Sequence, residues 1–179
     1  MVPSNSRRKF IRTAGLVSAG FMLVTPESIH AVGNESSPFL GYNPYADSVT
    51  DMRKSLNPGD HIKVTGKVYG REGLQALSNV KLEVWHLSPG IKKYRHQAQL
   101  TSNEFGEYQF LTDMPEREVG KGARIYFKVT TTNRSYFTEL LIGTYNAYIT
   151  GDHWEQNKCL GDLMQPLKQQ STIQFNLAI

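Results

Sequence analysis

Ala123-Arg124-Ile125-Tyr126-Phe127-Lys128-Val129-Thr130-Thr131 alternates along its length, with Ile125, Phe127 and Val129 on one side and Arg124, Tyr126 and Lys128 on the other. A period of two marks a half-buried strand, because successive side chains leave a pleated backbone on opposite faces. Across a Thr131-Thr132-Asn133-Arg134 turn, Tyr136 to Ile142 supplies a neighbouring strand. Upstream, Val80-Lys81-Leu82-Glu83-Val84-Trp85 alternates too, as does Ile62 to Tyr69 after the Pro58-Gly59-Asp60 turn. Asn103-Glu104-Phe105-Gly106 turns into a short strand from Glu107 to Thr112, and Thr172 to Ala178 is the last. No segment sustains a helical period, so short strands at this spacing predict an all-β sandwich over 58–179.

The other segments read differently. From Val32 to Asn57 the chain is polar and aperiodic, an arm or linker with one helical turn expected near Val49 to Leu56. Gly143 to Gln170 is a long mixed loop carrying Tyr145, Tyr148 and Trp154, and loops of that length usually cover or serve a site. Residues 1–31 read as a leader: a basic opening (Arg7, Arg8, Lys9, Arg12), an apolar stretch from Thr13 to Val24, and the exit Ile29-His30-Ala31. Ser6-Arg7-Arg8-Lys9-Phe10-Ile11-Arg12 resembles the twin-arginine export signal, which implies a periplasmic or secreted protein. The apolar stretch is shorter than the about 20 residues of a stable membrane anchor.

Without the leader, sixteen Lys and Arg face fifteen Asp and Glu. A nearly neutral chain lacks the basic footprint that nucleic acid requires, so that partner class is excluded. Cys159 is the only cysteine, which rules out an intrachain disulfide and suits a small buried hydrophobe. The sequence shows no Ser-His-Asp set, no glycine-rich phosphate loop and no Cys-His zinc spacing. Gly151-Asp152-His153-Trp154-Glu155 groups a carboxylate, an imidazole and an indole that could line a pocket or lie in a solvated loop.

Several pieces from Pro58 to Ile142, in order and spacing, resemble the intradiol ring-cleavage dioxygenases, the catechol and protocatechuate dioxygenase family. They are Gly59-Asp60-His61-Ile62 with Gly66-Lys67-Val68, then Val80 to Trp85, Tyr94-Arg95-His96, and Gly106-Glu107-Tyr108-Gln109-Phe110-Leu111-Thr112 before Pro115. Last comes Lys121-Gly122-Ala123-Arg124-Ile125-Tyr126-Phe127, where the family writes Arg-Pro-Ala-His-Ile-His-Phe. The glycine, tyrosine and strand pattern alone is also similar to transthyretin-like sandwiches, which are binding or structural modules. The resemblance implies a Greek-key β-sandwich of the intradiol dioxygenase or transthyretin-like type. It also implies Fe(III) held by two tyrosinates and two histidines, with an aromatic diol as substrate.

On that implication Tyr94 is the one matching metal ligand. The His-x-His strand reads Arg124-Ile125-Tyr126, and Glu116 to Gly120 holds no second tyrosine. Lys121 stands at the family's arginine near the substrate, keeping charge without the planar fork. Arg124, Tyr126, Lys121 and His96 are therefore the substrate-pocket candidates. Arg124 is expected to occupy the iron's place, paired with Glu116, Glu118 or the ring of Tyr94, because a guanidinium cannot deprotonate beside a trivalent ion.

Three readings follow. The first is a non-catalytic binding or accessory module that needs no cofactor, binds an aromatic small molecule, and forms a homo-oligomer or joins a catalytic partner subunit. The second is an Fe(III) dioxygenase of catechol-type diols with altered ligands, using Tyr94 and Tyr126. The third is a transthyretin-like structural module. An arm and long loop closing a pocket over Tyr94 and Arg124 would favour the dioxygenase lineage, and solid packing there the structural module.

Overall fold

The computed structural model describes residues 37–179; the leader, with Arg7 and Arg8, and the first residues of the arm lie outside the described residues. The alternating segments become β1 (His61–Tyr69), β2 (Lys81–His86), β4 (Glu107–Asp113), β5 (Ala123–Thr130) and β6 (Ser135–Ile142). A strand not expected from the sequence, β3 (His96–Thr101), completes the hairpin with β2.

Among the described residues, one five-stranded sheet runs β3-β2-β5-β6-β7, where β7 is Ala147–Ile149. In the other, β1 pairs antiparallel with β4 on one side. On its other side β1 pairs parallel with β9 (Thr172–Gln174) and β10 (Leu177–Ala178). The short β8 (Leu167–Gln169) closes the edge against β9. The inner faces meet through Val64, Phe110, Ile173 and Phe175 from one sheet and Leu82, Val84, Ile125, Phe127 and Leu140 from the other, each at most 1% exposed. Full burial of such a side chain stabilises the fold by about 1.5–3 kcal/mol. This is the β-sandwich that the alternation implies.

Gly66 shows how tightly the first sheet is drawn together. A Cβ there would lie 1.9 Å from the Phe175 carbonyl oxygen, which instead accepts from the Tyr108 hydroxyl at 2.5 Å. The arm is not helical between Val49 and Leu56. It runs between the two open sheet edges: the Asp47 carbonyl accepts from Gln99 of β3 at 2.9 Å, and the Thr50 carbonyl accepts from Leu111 of β4 at 2.8 Å. Unpaired edge groups need partners, and an extended arm supplies them better than an isolated helical turn.

Gly143 to Gln170, expected as a loop, carries β7, a helix α1 (Gly151–Asn157), a 3-10 segment (Lys158–Met164) and β8. A seven-residue helix is too short for a helical period to register in the sequence. It turns His153 inward, fully buried, where Nδ1 lies 2.7 Å from the Thr138 hydroxyl and the ring packs on Phe175. Burial pushes its pKa down to about 4. His153 is thus a core residue, while Trp154 beside it is half exposed and Cys159 is exposed rather than buried. No helix among the described residues is long and apolar enough to cross a membrane.

Candidate functional site

Strand parity decides which candidates can meet. The register sets Trp85 opposite Tyr126 and Tyr126 opposite Glu139, so all three leave the outer face of the β2-β5-β6 sheet. Arg124, two residues before Tyr126, shares that face and lies diagonal to Glu139. His96 is opposite His86 on the inner face, on the far side of the sheet from Tyr126.

On the outer face the loop after Pro115 folds back as a small hairpin, with Arg117 bridged to Ala123. That hairpin brings Glu118 over the sheet. One carboxylate oxygen of Glu118 accepts from both phenols, 2.6 Å from the Tyr126 hydroxyl and 3.1 Å from that of Tyr94. The Arg124 guanidinium donates to Glu139 at 2.7 Å, with both residues 8% exposed. The expected partners were Glu116, Glu118 or the Tyr94 ring. Glu116 instead accepts from the backbone of Gly90 and Arg117, and Glu118 is taken by the two tyrosines. Lys121 is exposed, and among the described residues its one hydrogen bond runs from its backbone N–H to the Glu118 carbonyl.

The arm covers this network. Phe39 stacks on Tyr126 with ring centroids 4.6 Å apart, and Trp85 stacks nearby at 5.5 Å. The indole N–H of Trp85 donates to the Leu40 carbonyl at 3.0 Å, and Tyr42 packs against Trp85 while donating to Glu83. Gly41 lies flat on the Tyr94 ring: a Cβ there would fall 2.1 Å from the ring carbon Cγ, and its φ of +81° is in the left-handed region. Only glycine allows the backbone this approach without strain. Gln97 holds the crossing, donating to the carbonyls of Gly41 and Tyr94.

Electrostatics keep the phenols protonated. Burial, reinforced by the Glu118 charge, pushes Tyr94 up to about 12. The same causes, burial first and then the hydrogen bond to Glu118, raise Tyr126 further. Nearby Arg124 opposes both shifts but does not reverse them.

His96 belongs to a second, interior polar cluster. Its Nδ1 is 2.7 Å from the Ser88 hydroxyl and its Nε2 is 2.8 Å from Asp113. The ring stacks on His86 at 4.6 Å. Asp113 also accepts from the backbone N–H groups of Lys54 and Ser55, at 2.9 Å each. Burial raises the Asp113 pKa, but these amides and His96 outweigh it and hold the carboxyl below its usual range. Burial depresses both histidines, His86 to about 3. Ser88, His96 and Asp113 form a hydrogen-bonded chain that sequence reading missed, because a loop and two strands bring them together. With Ser88 only 1% exposed, the chain ties the arm to the strand ends and offers no accessible nucleophile. Among the described residues, no three His, Cys, Asp or Glu side chains are grouped to hold a metal ion.

Sequence reasoning also missed Glu139 and the covering role of Phe39 and Gly41. Glu139 did leave a signal, as an acid within the largely apolar run from Tyr136 to Ile142.

No protein-family model matches this sequence, and no curated protein matches it. Solved structures do share its fold. The dioxygenase domain of a novel dioxygenase carbohydrate-binding protein fusion from Streptomyces sp. SirexAA-E superposes with a TM-score of 0.57 at 17% identity, covering 77% of this chain and 91% of that one. An intradiol ring-cleavage dioxygenase from Tetranychus urticae gives 0.54 at 12% identity, over 77% and 89%. Wild-type catechol 1,2 dioxygenase from Acinetobacter radioresistens gives 0.53 at 17% identity, over 76% of this chain and 59% of that one. The chain therefore has the β-sandwich fold found in intradiol dioxygenases.

Proposed function

We propose that this chain is an exported protein of intradiol-dioxygenase-like fold that works without iron, as a non-catalytic binding or accessory module. It would act as a homo-oligomer or beside a catalytic partner subunit. The observation that carries the reading is the double hydrogen bond of Tyr94 and Tyr126 to one Glu118 oxygen, next to the Arg124–Glu139 pair. Ferric iron wants deprotonated, hard oxygen donors in a fixed geometry. Here the phenols are donors to a carboxylate, and their pKa values lie above the ordinary tyrosine range. Both imidazoles are replaced on that strand, and a permanent cation projects from the same face. These residues do not fit the ion that the resemblance implies.

Two other readings remain. The convergence of two phenols and a carboxylate favours an altered oxygenase, in which Tyr94, Tyr126 and Glu118 would give up their protons or their pairing to hold Fe(III). The ring-to-backbone packing of Gly41 on Tyr94 favours a structural module, because it fills the space over the tyrosine with protein. For an aromatic small molecule, the natural place is the one Phe39 takes on Tyr126, so binding would require the arm to move.

The test is oxygen uptake by the full chain after incubation with ferric ion, with catechol and with protocatechuate. The expected outcome is no uptake above the metal-only control. A ring-cleaved product would overturn the non-catalytic reading.

A further inference from the structure

The outer face of the other sheet carries an open cleft of about 990 Å³, walled on one side by the arm from Ser48 to Asp51. Its floor is a row set by strand register: Gln109 of β4 is opposite Thr65 of β1, which is opposite Gln174 of β9. Adjacent strands lie about 4.8 Å apart, so this amide-hydroxyl-amide row runs roughly 10 Å across the sheet. None of these three side chains has a hydrogen-bond partner among the described residues, and both glutamines are exposed. Each amide presents donors and an acceptor, and the hydroxyl presents both.

The charges at the cleft are neutralised internally. Lys67 pairs with Glu107 at 3.4 Å in the next row, and Asp51 on the arm is held by Arg53 at 2.6 Å. Among the described residues that line the cleft, Lys67 is the one cation and it is paired, which leaves little for a phosphate or carboxylate. A peptide adding as a strand needs a free sheet edge, and here the β1 backbone is paired on both sides while the outer edge of β4 is met by the arm at Leu111 and by Asn103 at Glu107. What remains is a broad polar floor with Tyr69 and Val49 as apolar contacts.

We propose that this cleft binds a neutral, polyhydroxylated oligomer, a linear oligosaccharide, through Gln109, Thr65 and Gln174. The volume sits near the upper end of small-ligand sites, about 300–1,000 Å³, which suits several sugar rings better than one. The inference stands apart from the tyrosine network on the opposite sheet.

The experiment is a heteronuclear NMR titration of the full chain with three hexasaccharide probes, cellohexaose, maltohexaose and chitohexaose. At least one should shift the side-chain amides of Gln109 and Gln174 and the backbone amides of β1, β4 and β9. The double variant Gln109→Ala/Gln174→Ala should weaken that binding about tenfold or more, since two hydrogen bonds are lost. Its melting temperature should stay unchanged, because both side chains are exposed. Thr65→Val, in the same row, should weaken binding without enlarging the cleft. The proposal is overturned if none of the three probes perturbs these residues, or if the double variant binds as well as the wild type. It is equally overturned if an oligogalacturonate binds more tightly than the neutral probes in a salt-sensitive way.

Discussion

The two sheets of the sandwich treat their outer faces in opposite ways. On the β2-β5-β6 face the two tyrosines and the arginine singled out by the sequence have partners inside the chain: Tyr94 and Tyr126 on Glu118 and Arg124 on Glu139, with Phe39 stacked on Tyr126 and Gly41 on Tyr94. On the β1-β4-β9 face, Gln109, Thr65 and Gln174 keep their hydrogen-bonding capacity open to a cleft. Solved structures that share the fold include dioxygenases, yet the face to which the resemblance assigns the iron ligands is here the satisfied one. A site whose donors and acceptors already answer each other has little left for a ligand, so the location of chemistry need not follow the fold.

The contrast can be broken from the covered side. Arg124→Ala leaves Glu139 nearly buried without its cation, and removing one partner of such a pair costs about 3–5 kcal/mol. The expected outcome in urea denaturation is a loss of that size, partly restored by the added change Glu139→Leu. A negligible loss would mean that the pair is solvated.

Acid tests the interior against both outer faces. His153 titrates at about 4 when folded, against roughly 6.5 when unfolded. Its depressed pKa means that the unfolded chain binds the proton more readily. Stability from this residue is therefore present above about pH 6.5 and lost as pH falls toward 4, on the order of 3 kcal/mol in all. His86 and His96, depressed by burial as well, act in the same direction. Chemical denaturation at pH 7 and pH 5 checks the sign, and equal stabilities at the two values would contradict it.

A gentler perturbation lifts only the cover. Gly41→Val places a side chain into the Tyr94 ring at a positive φ, which should cost about 1–3 kcal/mol. It should also release the arm from Trp85, seen as a red shift of tryptophan emission. An unshifted spectrum would mean that the arm reseats without exposing the indole.

Much of this molecule was legible from alternation. Ile125, Phe127 and Val129 point inward and Arg124, Tyr126 and Lys128 outward, as the period of two requires, and the sandwich follows from that. What escaped was set by long-range packing. β3 was hidden because His96-Gln97-Ala98-Gln99-Leu100 mixes amides with small residues, though its parity is regular. His96 could not be assigned to a face without the strand's start, and it turned out to lie opposite His86, away from the tyrosines. The pairing of Arg124 with Glu139 depends on a diagonal register between two strands, and the seat of Gly41 on Tyr94 joins residues with no local signature in common. Tyr94, Tyr126 and Glu118 were each named from sequence, but only folding shows that one carboxylate oxygen serves both phenols.

The most direct measurement is metal analysis with a visible absorption spectrum on protein purified from an iron-replete host. Protonated phenols tied to Glu118 should give a colourless protein with only trace iron. A burgundy or brown protein holding iron in a one-to-one ratio, its colour lost on Tyr94→Phe, would show that those tyrosines coordinate a ferric ion and would contradict the account.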